Sequence, residues 1–150
     1  MRLLALAWMV GIAWAQGAPP RPVTLKVHLL VACGTAGAGA QVKVQGQAAP
    51  LCLDGSPFLT QNDVQSAEIQ HGSAGRTLVF LTFHDNAAIR ELQITRKNIG
   101  NHVGIVLNGR VVGTPTISAA SRLLYIDDGF TPQQAEAVVA AFNRKLYPAK

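Results

Sequence analysis

Asn108-Gly109 is the tightest local constraint in this chain. A two-residue hairpin turn needs positive φ at both central positions, which Asn and Gly tolerate and few other pairs do. Apolar residues at 103–107 and 111–112 flank the dipeptide, so an antiparallel strand is predicted on either side of it. Pro115 then removes a backbone donor and demotes its neighbourhood to a sheet edge or bulge. Thr131 stands where a helix N-cap belongs, with Pro132 at the first helical position and Gln134 completing a capping box. Ala135, Val138, Val139, Phe142 and Leu146 recur behind it at helical spacing, and Pro148 ends the helix.

Upstream, residues 23–32 alternate, with Leu25, Val27, Leu29 and Val31 on one face and Thr24, Lys26 and His28 on the other. That is the pattern of a half-buried strand. Residues 34–39 form a small-residue loop, residues 41–45 alternate again, and Leu51-Cys52-Leu53 is a short apolar strand closed by Asp54-Gly55. Residues 59–64 read as one helical turn leading into a strand through Ala67 and Ile69, with a turn at residues 72–75. Residues 77–83 (TLVFLTF) are apolar at nearly every position, which predicts a central strand covered on both faces. Asp85 is the expected N-cap of a helix whose buried stripe is Ala88, Leu92, Thr95 and Ile99, with Gly100 as its left-handed stop. A further strand is expected at residues 123–126. Strands broken by two helices, with antiparallel hairpins, specify an α+β fold: a mainly antiparallel sheet with two helices packed on one face.

The 150 residues hold one domain, placed at residues 23–150. Arg2, the apolar residues 3–14 and Ala13-Trp14-Ala15 read as a signal peptide over residues 1–15, cleaved before Gln16. The apolar run is shorter than the roughly 20 residues of a membrane-spanning helix, although an uncleaved N-terminal anchor is the alternative. A Pro-rich linker fills residues 16–22. The expected location is therefore outside the cytoplasm, periplasmic or extracellular, with no membrane association required.

Removing Arg2 reduces thirteen basic side chains to twelve, against eight acidic ones, for a net charge of +4. Only Arg96-Lys97 and Arg144-Lys145 are adjacent, and both pairs fall in a helix's last turn, where they complement its dipole. Nucleic-acid binding calls for clustered charge interleaved with aromatic residues, so no nucleic-acid partner is expected. Cys33 and Cys52 border strand-like runs in the exported part, where a disulfide between them is expected, two buried thiols being the alternative. Residues 30–34 also match a lipobox around Cys33, but Arg21, Lys26 and His28 interrupt the apolar run it needs, and the residues read better as a strand.

His28, His71, His84 and His102 show no ligand spacing, and no carboxylate joins them in a metal motif. Asp127-Asp128 is the only adjacent carboxylate pair, and strand neighbours face opposite ways, so the two are poorly placed to share a proton or a cation. Asp128-Gly129 reads as turn chemistry. Ser66, Ser73, Ser118 and Ser121 lack a nucleophile elbow. No catalytic residue, metal or cofactor is expected.

Five elements in fixed order carry a family resemblance. They are Leu59 with Asp63-Val64-Gln65-Ser66-Ala67, the Val79-Leu81-Phe83 strand, the helix ending Thr95-Arg96-Lys97-Asn98-Ile99-Gly100, the hairpin over residues 103–109, and Gly129-Phe130-Thr131 before an Ala-rich helix. The order resembles the head subdomain of the first periplasmic domain of SecD and SecDF, membrane subunits that assist protein export. The resemblance implies structural roles for Asp63, Asn98, Gly100, Asn108, Gly109, Pro115, Gly129 and Phe130. This sequence departs from the family at Ala87-Ala88-Ile89, at Asn108 for an Asp, at Gly113-Thr114-Pro115, and over residues 118–122, which are shorter and lack a Gly pair. Transmembrane helices like those that couple SecD to a proton gradient are not recognised here, so translocase activity is not expected.

The reading that follows is an exported, non-catalytic binding module contacting polypeptide, export machinery or another envelope protein. Thr116, Ile117 and Ser118 are its expected peptide-binding edge. The alternative is a structural or accessory envelope protein that uses the fold as an assembly scaffold.

Overall fold

Alternating apolar residues supply most of the strands, and the hydrogen-bond registers divide them into two sheets. The computed structural model describes residues 22–146, with side chains as far as residue 144. The expected leader and nearly all of the Pro-rich spacer lie outside the described residues, as does the side chain of Leu146. In chain order the elements are β1 (Leu25–Ala32), β2 (Gln41–Val42), β3 (Leu51–Leu53), β4 (Leu59–Thr60), β5 (Val64–His71), β6 (Thr77–Phe83), α1 (Asp85–Lys97), β7 (Val103–Leu107), β8 (Arg110–Gly113), β9 (Leu123–Phe130) and α2 (Pro132–Leu146).

The larger sheet has the order β2-β3-β1-β7-β8, with β4 also on β1, and the smaller has β5-β6-β9. Every strand pair is antiparallel. The α+β class is as expected, with the strands in two sheets rather than one. One core joins them: Leu25, Val27 and Ile105 from the larger sheet, Leu81 and Ile126 from the smaller, and Phe142 from α2 are nearly or fully buried in a single cluster. Helix α2 packs on β5, β6 and β9, and α1 packs on β6.

Several local expectations shift. Strand β1 buries Leu25 and Val27 as the alternation requires, yet His28 and Leu30 on the opposite face are buried too. The connection around β3 covers that end of β1. Gly104 on β7 makes room for it, since a Cβ there would lie 2.5 Å from Leu53 Cδ2 and 3.0 Å from Leu30 Cδ2. Strand β2 stops at Val42 because its ladder to β3 contains only two residue pairs. Strand β6 is central, but only Val79, Leu81 and Phe83 face the common core. On its other face Phe80 is shielded by the Tyr125 ring, centroids 4.8 Å apart, and Leu78 and Thr82 are half-buried, so that face lacks a second layer.

Strand β9 runs through the expected Asp128-Gly129 turn to Phe130. Thr77 faces Phe130 and Val79 faces Ile126, so residues 127–129 occupy the space that Leu78 takes on β6. Gly129, at φ +66°, makes this bulge possible. Asp85 is the first residue of α1, and His84, without a side-chain cap bond, holds the N-cap position. Thr131 and Gln134 do form their capping box: Gln134 N–H donates to Thr131 Oγ1 at 3.2 Å and Thr131 N–H to Gln134 Oε1 at 2.9 Å. Cys33 and Cys52 are disulfide-bonded, tying the end of β1 to β3. That bond excludes lipidation at Cys33.

Candidate functional site

The Asn108-Gly109 turn has φ values of 50° and 79°, the positive pair its sequence predicts. Asn108 also closes the domain: its N–H donates to the Thr24 carbonyl at 2.9 Å, and its Oδ1 accepts from Thr24 N–H at 3.0 Å. After β8 the chain turns at Pro115 and runs back along residues 100–103. Val103 N–H donates to the Pro115 carbonyl, Ile117 N–H to the Asn101 carbonyl, and Gly100 N–H to the Ile117 carbonyl, at 3.1, 2.8 and 2.8 Å. Gly100 makes this return at φ +89°, just past the Asn98 cap of α1, where Asn98 Nδ2 donates to the Ile94 carbonyl at 2.8 Å.

This short ladder separates the three edge residues. Ile117 is committed to it by both backbone groups and is buried in the core. Thr116 alternates with it, so its own N–H and carbonyl point away from the ladder, and no backbone group among the described residues pairs with them. Ser118 is exposed. Beside them lies a cleft of about 250 Å³, bounded by α1, the segment of residues 115–121 and the start of β9.

Glu91 and Thr95, one helical turn apart on α1, both line this cleft. Thr95 Oγ1 donates to the Glu91 carbonyl at 2.8 Å and accepts from Ser121 N–H at 3.0 Å, which holds the end of the loop against the helix. Glu91 is 3% exposed, and its Oε2 has no hydrogen-bond partner among the described residues. Burial, which penalises the anion, pushes its pKa up to about 7. The expected stripe of Ala88, Leu92, Thr95 and Ile99 is therefore displaced. Ala87, Glu91 and Thr95 are the buried positions, and Ile99 is 58% exposed. One residue along a helix is a rotation of about 100°, enough to swap a Leu for a Glu at the inner face. Periodicity reads a lone Glu as solvent-facing, so no local signal marks Glu91.

The other motif residues sit in structural settings. Asp63 ends a 3₁₀ turn capped by Thr60, accepting from Thr60 N–H at 2.8 Å and from Arg90 Nη2 at 2.8 Å. Burial pulls its pKa up, but the bonds from Thr60 and the Arg90 guanidinium outweigh that and hold it below the usual carboxylate value. Phe130 packs half-buried at the edge of the core. Asp127 pairs with Arg76 at 2.6 Å, and Asp128 with Arg110 of the β7–β8 hairpin.

The histidines are dispersed. His28 lies on the face expected to be outward but is buried, because its Nδ1–H donates to the Asp54 carbonyl at 2.6 Å beneath the connection after β3. His102 Nδ1 bonds Thr116 Oγ1 and its Nε2 bonds Gln47, each at 3.2 Å. No group of three or more His, Cys, Asp or Glu residues among the described residues is placed to hold a metal.

Two antiparallel sheets around one core, two helices and the Asn-Gly hairpin that closes onto Thr24 define an α+β head-type domain. The chain belongs to the SecDF P1 head subdomain family, whose model matches residues 39–144. It is 41% identical over 66 residues to the protein translocase subunit SecDF of Thermus thermophilus, covering 44% of this chain and 9% of that protein. It is 27% identical over 66 residues to the protein translocase subunit SecD of Acidaminococcus fermentans, covering 44% and 16%. The chain thus spans a small part of the length of these curated relatives. A solved structure of SecDF, described as a membrane component that enhances protein export, superposes with a TM-score of 0.63 over 82% of this chain and 63% of that one, at 22% identity. SecDF in a super-membrane-facing form gives 0.61 over 80% and 18%, at 24% identity. These likenesses show the fold.

Proposed function

We propose that this chain is an exported, non-catalytic module that binds extended polypeptide at the Thr116 edge and the adjoining cleft. The observation that carries the reading is the unpaired backbone of Thr116 beside a cleft built from the 115–121 segment and α1. An extended chain gains main-chain hydrogen bonds from such an edge and seats alternate side chains in the neighbouring cavity. Membership of a family named for protein translocase subunits supports a role connected with protein export. The Cys33–Cys52 disulfide fits an oxidising compartment. No helix of the described residues is long and apolar enough to cross a membrane.

A photo-cross-linking amino acid placed at Thr116 in the full chain tests this with a reduced, alkylated unfolded protein as client. The expected result is a cross-link from position 116 that an excess of unlabelled client competes away. A control at Glu136, on the exposed face of α2, should give none. Equal labelling from both positions, or self-cross-linking alone, would remove the polypeptide-binding reading and favour an assembly scaffold.

A further inference from the structure

Glu91 Oε2 is the only fully buried side-chain nitrogen or oxygen of the described residues without a hydrogen-bond partner. An ionised carboxylate in that position has lost its water and gained nothing in exchange, which is costly. Two events relieve it: the carboxyl takes a proton, or a cation arrives. The surroundings supply no cation. Arg90, the neighbouring basic residue on α1, is committed to Asp63 and to the Phe58 carbonyl. From β9 the titratable group on the cleft wall is Tyr125, and His102, behind Thr116, is engaged with Thr116 and Gln47. The wall contributions from β1 and β7, Val27 and Val103, are uncharged.

The rest of the wall suits the stem of a long cation. Pro115, Ile117 and Leu124 are apolar and lead from the Thr116 edge toward Glu91. A lysine can lay its methylene stem along such a surface and deliver a compact charge at the end. Arginine suits the site less well, since its planar fork is matched by two accessible carboxylate oxygens rather than one buried acceptor.

We propose that the cleft is a lysine-side-chain subsite: an extended polypeptide pairs with the Thr116 edge and places one lysine ammonium against the Glu91 carboxylate. This rests on the polypeptide-binding reading and specifies its substrate class. Recognition of this kind sets specificity, because a chain without the cation leaves the buried carboxyl unpaired.

The test is fluorescence polarisation of the full chain with two labelled, otherwise uncharged extended peptides, one carrying a central lysine and the other norleucine. At pH 8 the wild type should bind the lysine peptide about tenfold more tightly, as expected for a desolvated charge pair. Glu91 titrates at about 7, so the advantage should largely disappear at pH 6, where the carboxyl is mostly protonated. Glu91→Gln should bind both peptides equally at either pH. Equal affinities in the wild type at pH 8 overturn the lysine subsite and leave the polypeptide reading standing. A lysine preference that survives in Glu91→Gln also overturns it, assigning the effect to surface charge. Failure of both peptides to bind overturns the polypeptide reading together with the subsite. The peptide pair decides with the wild type alone, should Glu91→Gln fold poorly.

Discussion

The side-chain amide of Asn143 makes two bonds to the main chain of Ala67, donating to its carbonyl at 3.1 Å and accepting from its N–H at 3.2 Å. Strand β5 is an edge of the smaller sheet, and an uncovered edge is a template for pairing with another chain. Asn143 occupies that template from α2, one amide imitating the next strand. Replacing it with Leu removes both bonds and leaves two polar groups unpaired. Unfolding free energy should fall by roughly 1–3 kcal/mol, and concentration-dependent self-association should appear in sedimentation experiments. A monomeric Asn143→Leu protein of wild-type stability would show that the amide does not guard the edge.

Glu91 makes stability fall as pH rises. Its folded pKa of about 7 lies above the ordinary 4.5, so the folded state holds a proton that the unfolded chain has released between those values. Its contribution is fully present below pH 4.5, declines through pH 7 and is gone above it. The span corresponds to about 3 kcal/mol. Urea unfolding at pH 5 and pH 8 should show most of this loss in the wild type and none of it in Glu91→Gln. Parallel losses in the two proteins would assign the titration to another group.

The Cys33–Cys52 bond closes a loop of sequence separation 19 around β2. Restricting the unfolded chain over such a loop is worth about 3 kcal/mol. Reduction, or the double change Cys33→Ser with Cys52→Ser, should lower stability by that amount. Mass spectrometry of the oxidised, denatured protein should show no uptake of an alkylating reagent, and uptake of two groups after reduction, since neither described cysteine is free.

Asp63 joins three segments, accepting from Thr60 N–H and Arg90 while its carbonyl accepts from His84 N–H at 3.0 Å. Asp63→Ala removes the Asp63 half of the Thr60 capping box before β5 and releases Arg90 from one of its two partners. A loss of about 1–2 kcal/mol is expected in thermal or urea unfolding, the ion pair itself contributing little because Arg90 is 43% exposed. The lowered pKa places the carboxylate's own contribution above pH 3.8, to be lost as acid protonates it in the folded state. Asp63→Asn should flatten that acid limb.

The elements read correctly from the sequence are those whose causes are local. Thr131, Pro132 and Gln134 lie within one turn of each other, and Asn108-Gly109 decides its own backbone angles, so neither needs a distant partner. The errors have distant causes. Alternation places His28 outward, but the chain around Asp54, 26 residues away, folds over it. The Asp128-Gly129 turn became a bulge because β6 pairs on both sides of it. The cleft was half legible: Pro115 announced an edge, while the partnering of Ile117 with residues 100–101 left Thr116 as the unpaired backbone position.

Sequence alone determined the antiparallel α+β character, the hairpin, the capped second helix and the family order, because turn angles, caps and apolar period are encoded within a few residues. Tertiary structure decided which face of α1 turned inward. The tie from Thr95 to Ser121 brought the 115–121 segment onto that helix and enclosed Glu91. A glutamate on a helix is ordinary until another part of the chain takes away its water.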